Sequence, residues 1–175
     1  LPPFGTDEPN GVPPMPSFGE GANLLVTGST HDAWGFRKTA DSAVQARLTE
    51  RLVRKIKDFQ REIVETEAHF LDDAEVGVVA YGFTARAAMR AVKTLRDQGV
   101  KAGFLRLISI WPFAEEAIAE LGKQCRVIFV PEMNRGQVAG EIKKYTSTPV
   151  IPLPKTNGEV IEPGEIVEGI RRNMA

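Results

Sequence analysis

Cysteine, histidine and aromatic residues are scarce in this 175-residue chain, and long apolar runs are missing altogether. The one cysteine, Cys125, excludes an intramolecular disulfide. It equally excludes a four-cysteine zinc or iron–sulfur site built from this chain alone. A lone thiol suits a reducing compartment, so a cytoplasmic location is expected. Cys125 lies just before the apolar run Val127-Ile128-Phe129-Val130 and reads as a buried small hydrophobe at a strand start, not as a nucleophile. The two histidines, His31 and His69, lie too far apart for zinc-ligand spacing, and no metal site is expected. No stretch approaches the roughly 18 apolar residues needed to cross a bilayer. The net charge of -1 gives no global attraction to nucleic acid or to an anionic membrane, so neither is expected as a partner. Walker A, G-x-G-x-x-G and G-x-S-x-G patterns are all lacking.

What is present is an apolar content of 42% with 26% charged residues, the composition of a globular protein with room for one α/β domain and an appendage. The opening Leu1-Pro2-Pro3-Phe4 is neither an initiator methionine nor a signal peptide, and the expectation is a piece of something longer. Pro2, Pro3, Pro9, Pro13, Pro14 and Pro16 rule out a regular helix or central strand over residues 1–23, which read as an extended linker. Leu24 to Thr27 is a candidate short strand ending at Gly28, followed by the polar loop Ser29 to Gly35.

Val44, Leu48, Leu52, Ile56, Phe59, Ile63 and Phe70 recur mostly at three- and four-residue spacing. That periodicity predicts one long amphipathic helix over 41–71, with Asp41 or Ser42 as N-cap. Its mixed-charge face reads as solvated, with contact to an acidic partner surface as the alternative. Three regions result: 1–40, linker, short strand and polar segment; 41–71, long helix; 72–175, an α/β domain.

From residue 76 short apolar runs alternate with helical patterns. Strands are predicted at Val76–Tyr81, Phe104–Ile108, Val127–Val130 and Val150–Leu153. Helices follow Thr84, Phe113, Gly136 and Pro163. Apolar strands alternating with helices predict a mostly parallel sheet covered on both faces. Pro152 removes a ladder donor and places the last strand at an edge. Asn157-Gly158 marks a turn and a candidate hairpin.

In such sheets ligands and partners meet the carboxyl ends of the strands. Two loops are therefore candidates, Gly82-Phe83-Thr84 and Glu132-Met133-Asn134-Arg135-Gly136-Gln137. Each precedes a helix N-terminus able to hold a carboxylate or phosphate. The bland alternatives are that Thr84 only caps its helix and that Asn134 and Gly136 only turn the chain. Thr84, Glu132, Asn134, Gly136 and Gln137 are the candidate binding or interface residues. His31-Asp32 is the only acid–base constellation, a candidate catalytic pair whose adjacency also fits a structural turn. His69, beside Glu67, reads as a surface residue.

Five segments, in order, resemble the alpha subunits of 2-oxoacid:ferredoxin oxidoreductases of the 2-oxoglutarate type. Thr27-Gly28-Ser29-Thr30-His31-Asp32-Ala33-Trp34-Gly35 is similar to their TG-x-x-HD-x-x-G segment, and Tyr81-Gly82-Phe83-Thr84-Ala85 to their YG-x-x-A turn. Ile110-Trp111-Pro112-Phe113 resembles L-W-P-F. Val130-Pro131-Glu132-Met133-Asn134-Arg135-Gly136-Gln137 resembles V-x-E-x-N-x-GQ. Asn157-Gly158 with Ile161 to Ile166 resembles their closing segment. Ala33 stands where many members carry glutamate, and Ser29-Thr30 also departs from the usual pair.

The resemblance implies a transketolase C-terminal-like domain. It implies an enzyme that oxidatively decarboxylates a 2-oxoacid on thiamine diphosphate with magnesium, passes electrons through iron–sulfur clusters to ferredoxin, and hands the acyl group to coenzyme A. None of these cofactors is expected on this chain alone. The implied partners are the thiamine pyrimidine-binding domain of the same subunit, the beta subunit and, indirectly, ferredoxin. The chain is then an assembly domain, inactive by itself. The alternatives are an interaction domain of another thiamine enzyme, or a free-standing anion-binding regulatory module.

Overall fold

The computed structural model describes residues 2–174, which fall into two compact units divided between Ile63 and Val64. In the first unit, residues 2–41 are irregular. The strand expected at Leu24–Thr27 does not form. The chain instead makes one isolated antiparallel bridge, His31 with Arg37, around the turn at Asp32. Helix α1 spans Ser42–Lys57 and starts as expected at Asp41, whose carboxylate accepts the Ala43 and Val44 N–H groups.

The single helix expected over 41–71 is also corrected. It stops at Lys57, a one-turn helix α2 spans Gln60–Ile63, and a strand, β1, occupies Thr66–His69. Phe70 then sits at φ 57, a left-handed conformation that no helix contains. The spacing of Phe59, Ile63 and Phe70 imitated a helix; pairing of β1 with a neighbouring strand overrode it.

The second unit continues with β2 (Val76–Tyr81), α3 (Thr84–Asp97), β3 (Ala102–Leu107), α4 (Glu115–Gln124), β4 (Val127–Glu132), α5 (Gln137–Ile142), β5 (Val150–Pro154) and α6 (Pro163–Met174). The strand order is β1-β3-β2-β4-β5. β2, β3, β4 and β5 run parallel, and β1 joins antiparallel to β3 with Thr66 opposite Leu107. The mostly parallel, doubly covered α/β sheet expected from the sequence is what forms. β5, carrying Pro152 and Pro154, lies at an edge where missing donors cost nothing. No hairpin forms at Asn157-Gly158.

Alternation along each strand sorts the core into two layers. Val78, Phe104 and Phe129 face α3 and α6, meeting Ala88, Val92, Leu95, Ile166 and Ile170. Val79, Leu105, Ile128 and Val130 face α4 and α5, meeting Ile118, Leu121, Val138 and Ile142. Helix α3 ends in a left-handed Gly99 (φ 82), with the Val100 N–H returning to the Leu95 carbonyl, a turn only glycine makes without strain.

Cys125 is 4% exposed and its thiol points at the Ala74 carbonyl, as expected of a strand-start hydrophobe. Burial pushes its pKa up to about 11 from 9.0. The folded state therefore holds the proton more tightly than the unfolded chain. The stability from this site is fully present below about pH 9 and is lost as pH rises through 11. Native Cys125 is expected to react with a thiol-specific dye at pH 8 at least ~100-fold more slowly than in denaturant. Equal rates in the two conditions would show the thiol to be open.

Candidate functional site

The connection from β2 to β3 builds the sheet in one direction, and β4 then starts on the other side of β2. The switch point lies between β2 and β4, where open α/β sheets form their crevices. The ladder between these strands pairs only Val76–Val78 with Val127–Phe129. Their carboxyl ends, Tyr81 and Glu132, lie beyond the paired region, and side chains fill the gap between them.

Glu132 is 1% exposed and does not face outward. Its Oε2 accepts the Val138 N–H at 2.9 Å and its Oε1 accepts the Ala139 N–H at 2.9 Å. Asn134 Oδ1 accepts the Gly136 and Gln137 N–H groups at 2.8 and 3.0 Å. Two side chains thus satisfy the donors of residues 136–139, and the helical ladder begins with Gly140 N–H to the Gly136 carbonyl. The N-terminus of α5 is fully consumed from within. The expectation that this terminus holds an outside carboxylate or phosphate is therefore corrected. Gly136 (φ 92) packs with its α-carbon against Pro152, where a side chain would be both strained and crowded.

Tyr81 joins the two loops. Asn134 Nδ2 donates to its hydroxyl at 2.8 Å, and that hydroxyl lies 3.4 Å from Glu132 Oε2. Burial first, and the Glu132 carboxylate second, raise the phenol pKa above its ordinary value, so Tyr81 remains a neutral donor. The sequence reading did not select Tyr81. The available signal was a polar-tipped aromatic ending an apolar strand immediately before glycine.

Thr84 is buried and is the first helical residue of α3, not its cap; Phe83 holds the cap position and makes no side-chain cap bond. Gly82 is left-handed (φ 53) and lets the chain turn from strand to helix. Gln137 is exposed at the rim. The structure thus brings Thr84, Glu132, Asn134, Gly136 and Gln137 to one end of the sheet, with Glu132 and Asn134 shaping the loop from inside.

His31 and Asp32 belong to the first unit and do not form an acid–base pair. Asp32 Oδ1 accepts the Trp34 and Phe36 N–H groups at 2.9 and 3.0 Å, closing the turn. His31 Nδ1 lies 2.9 Å from the Asp32 carbonyl, and its ring packs edge-on against Phe4. A cavity of about 580 Å³ adjoins them. Four cations of α1 and four carboxylates line it, so it favours neither sign of ligand. His69 Nε2 lies 2.6 Å from Glu67, which also accepts from Arg106 across the β1–β3 pair. These partners lower the Glu67 pKa, His69 first and Arg106 second. Among the described residues no three histidine, cysteine or acidic side chains gather as metal ligands. No described helix is long and apolar enough to cross a membrane.

Comparison with known proteins gives a consistent picture. Residues 74–166 match the family described as pyruvate:ferredoxin oxidoreductase core domain II. The chain is 38% identical over 158 residues to the 2-oxoglutarate synthase subunit KorA of Methanothermobacter marburgensis, covering 89% of this chain and 42% of that protein. It is similar in fold to the 2-oxoglutarate:ferredoxin oxidoreductase of Magnetococcus marinus, with a TM-score of 0.78 and 23% identity, over 95% of this chain and 29% of that one. A split-gene transketolase matches at a TM-score of 0.52 and 15% identity, over 61% of this chain and 41% of that chain, which extends the fold likeness to transketolases. The chain therefore spans less than half the length of the curated relative it matches.

Proposed function

The chain belongs to the pyruvate:ferredoxin oxidoreductase core domain II family, and we propose that it is the C-terminal assembly portion of the alpha subunit of a 2-oxoacid:ferredoxin oxidoreductase, acting on 2-oxoglutarate. The observation that carries the assembly reading is the rim at the switch point. There Tyr81 ties the β2–α3 loop to the β4–α5 loop, and the donors of the α5 terminus are all spent internally. A surface so fixed presents shape and side chains to a neighbour; it does not present a nucleophile, base or oxyanion hole.

The residues of this chain do not fit the cofactors that the family reading brings with it. One buried thiol cannot hold an iron–sulfur cluster. The described residues offer no grouping of ligands for the magnesium of thiamine diphosphate. Thiamine diphosphate, magnesium and the clusters would then belong to the remainder of the enzyme. Coenzyme A would meet this domain along the rim. The implied neighbours are the thiamine-binding domain of the same subunit and the beta subunit, with ferredoxin receiving electrons from the assembled enzyme.

The direct test is 2-oxoglutarate-dependent reduction of a viologen dye. The isolated chain is expected to give no rate above buffer, while enzyme containing it as part of the alpha subunit turns over. Turnover by the chain alone would overturn the assembly reading. Replacing 2-oxoglutarate with pyruvate or a branched-chain 2-oxoacid in the assembled enzyme is expected to slow reduction at least ~10-fold, the scale set by loss of one pocket contact.

A further inference from the structure

We propose that the rim over β2 and β4 docks a partner-subunit surface presenting carboxylates around an apolar anchor, an inference that rests on the assembly reading above. Large apolar side chains stand in solvent on the loops over β2 and β4, with Phe83 65% and Met133 40% exposed, and the patch continues onto the β3–α4 loop with Trp111 at 71% and with Ile108 and Ile110 also exposed. Single exposed hydrophobes are ordinary, but five on neighbouring loops at one end of one sheet mark an interaction surface.

Charge says what kind of partner. Arg86 and Arg135 are exposed, and among the described residues neither has an ion-pair partner. Arg86 stands in the first turn of α3, where the helix dipole disfavours a cation, so helix stability does not explain it. The first turns of α3 and α5 hold no acidic residue. The carboxylate nearest these loops, Glu132, is buried and spent on backbone amides. The rim's other acids flank these two loops: Glu115 and Glu116 on the first turn of α4, over β3, and Glu159, Glu162 and Glu165 beyond β5, where Lys155 pairs with Glu159 and Glu165. The two loops over β2 and β4 themselves thus carry exposed arginine and apolar side chains and no exposed acid. Aromatics, methionine and arginine are the residues that interface centres favour, and an acidic counter-surface complements them.

The test measures binding of the full chain to the purified partner subunit over a salt series. Wild-type affinity is expected to weaken at least ~10-fold from low to physiological salt. Arg86→Glu with Arg135→Glu should cost at least ~10-fold more and flatten the salt dependence. Phe83→Ala with Met133→Ala should cost ~10-fold while keeping it. Lys123→Glu, the same charge change on the exposed end of α4, should stay within ~2-fold of wild type. Wild-type binding unaffected by the arginine reversals removes the rim from the contact and overturns this inference while leaving the assembly reading intact. Failure of the wild-type chain to bind overturns both. Reversals that change sedimentation of the chain alone make a second copy the occupant and overturn the partner assignment.

Discussion

Replacing Glu132 with alanine is expected to destabilise the α/β unit by about 3 kcal/mol, and to lower its melting temperature by roughly 10 °C. The reason is what the side chain leaves behind. Val138 and Ala139 N–H groups are buried and have the Glu132 oxygens as acceptors. Each donor stranded without an acceptor costs about 1–3 kcal/mol. Glu132→Gln keeps one acceptor oxygen but turns an amide N–H₂ toward the other backbone donor, so it should fall between alanine and wild type. Tyr81→Phe should cost only about 1 kcal/mol, because it removes one 2.8 Å bond from Asn134 and a weak 3.4 Å one to Glu132. Thermal melts of the three variants check the ranking. A Glu132→Ala melt within ~2 °C of wild type would mean that the clamp is not what holds the loop. The same variant should weaken partner binding at the rim, since residues 133–137 would lose the carboxylate that seats α5 beneath them.

The α/β unit was largely legible because its strands are apolar runs of five or six residues that need burial on both faces, which only a covered parallel sheet supplies. Pro152 was equally plain, since a missing donor is tolerated only at an edge. β1 was not legible. Thr66-Glu67-Ala68-His69 is short and polar, and its strand character comes from pairing with Phe104 to Leu107, 35 to 41 residues away in sequence. Propensity cannot report a partner that distant. At the rim, the sequence placed the two loops at one end of the sheet but could not assign the direction of their side chains. Glu132 read as a candidate binding or interface residue, yet the fold turns it inward, where its oxygens accept from Val138 and Ala139 in the first turn of the helix that starts just past the left-handed Gly136. Tyr81 went unselected for the same reason: its role exists only once Asn134, fifty-three positions on, lies against it. In the first unit, Asp32 looked like a partner for His31, but its carboxylate closes a turn.

Two glycines separate backbone need from steric need in a way the sequence does not. Gly77 and Gly103 sit directly opposite each other on β2 and β3 and turn the same face toward the α4 side of the sheet. An added β-carbon at Gly77 would lie 3.3 Å from three atoms of the Leu121 side chain, which can shift by a few tenths of an ångström. At Gly103 it would lie 2.5 Å from Leu71 Cδ2, 2.7 Å from Ala74 Cβ and 3.0 Å from the Phe70 carbonyl. The leucine tip can swing away, but the alanine β-carbon and the carbonyl move only with their backbone. That backbone is the turn from β1 into β2, which Phe70 enters with a positive φ and which the Ala74 N–H to Leu71 carbonyl bond closes. Gly103→Ala is therefore expected to cost about 2–3 kcal/mol, against less than about 1 kcal/mol for Gly77→Ala. Denaturant titrations read the difference as a lowered midpoint at unchanged slope. Equal midpoints for the two variants would mean that the 70–74 turn yields as freely as a leucine side chain, and that β1 is not held against β3 by close packing over Gly103.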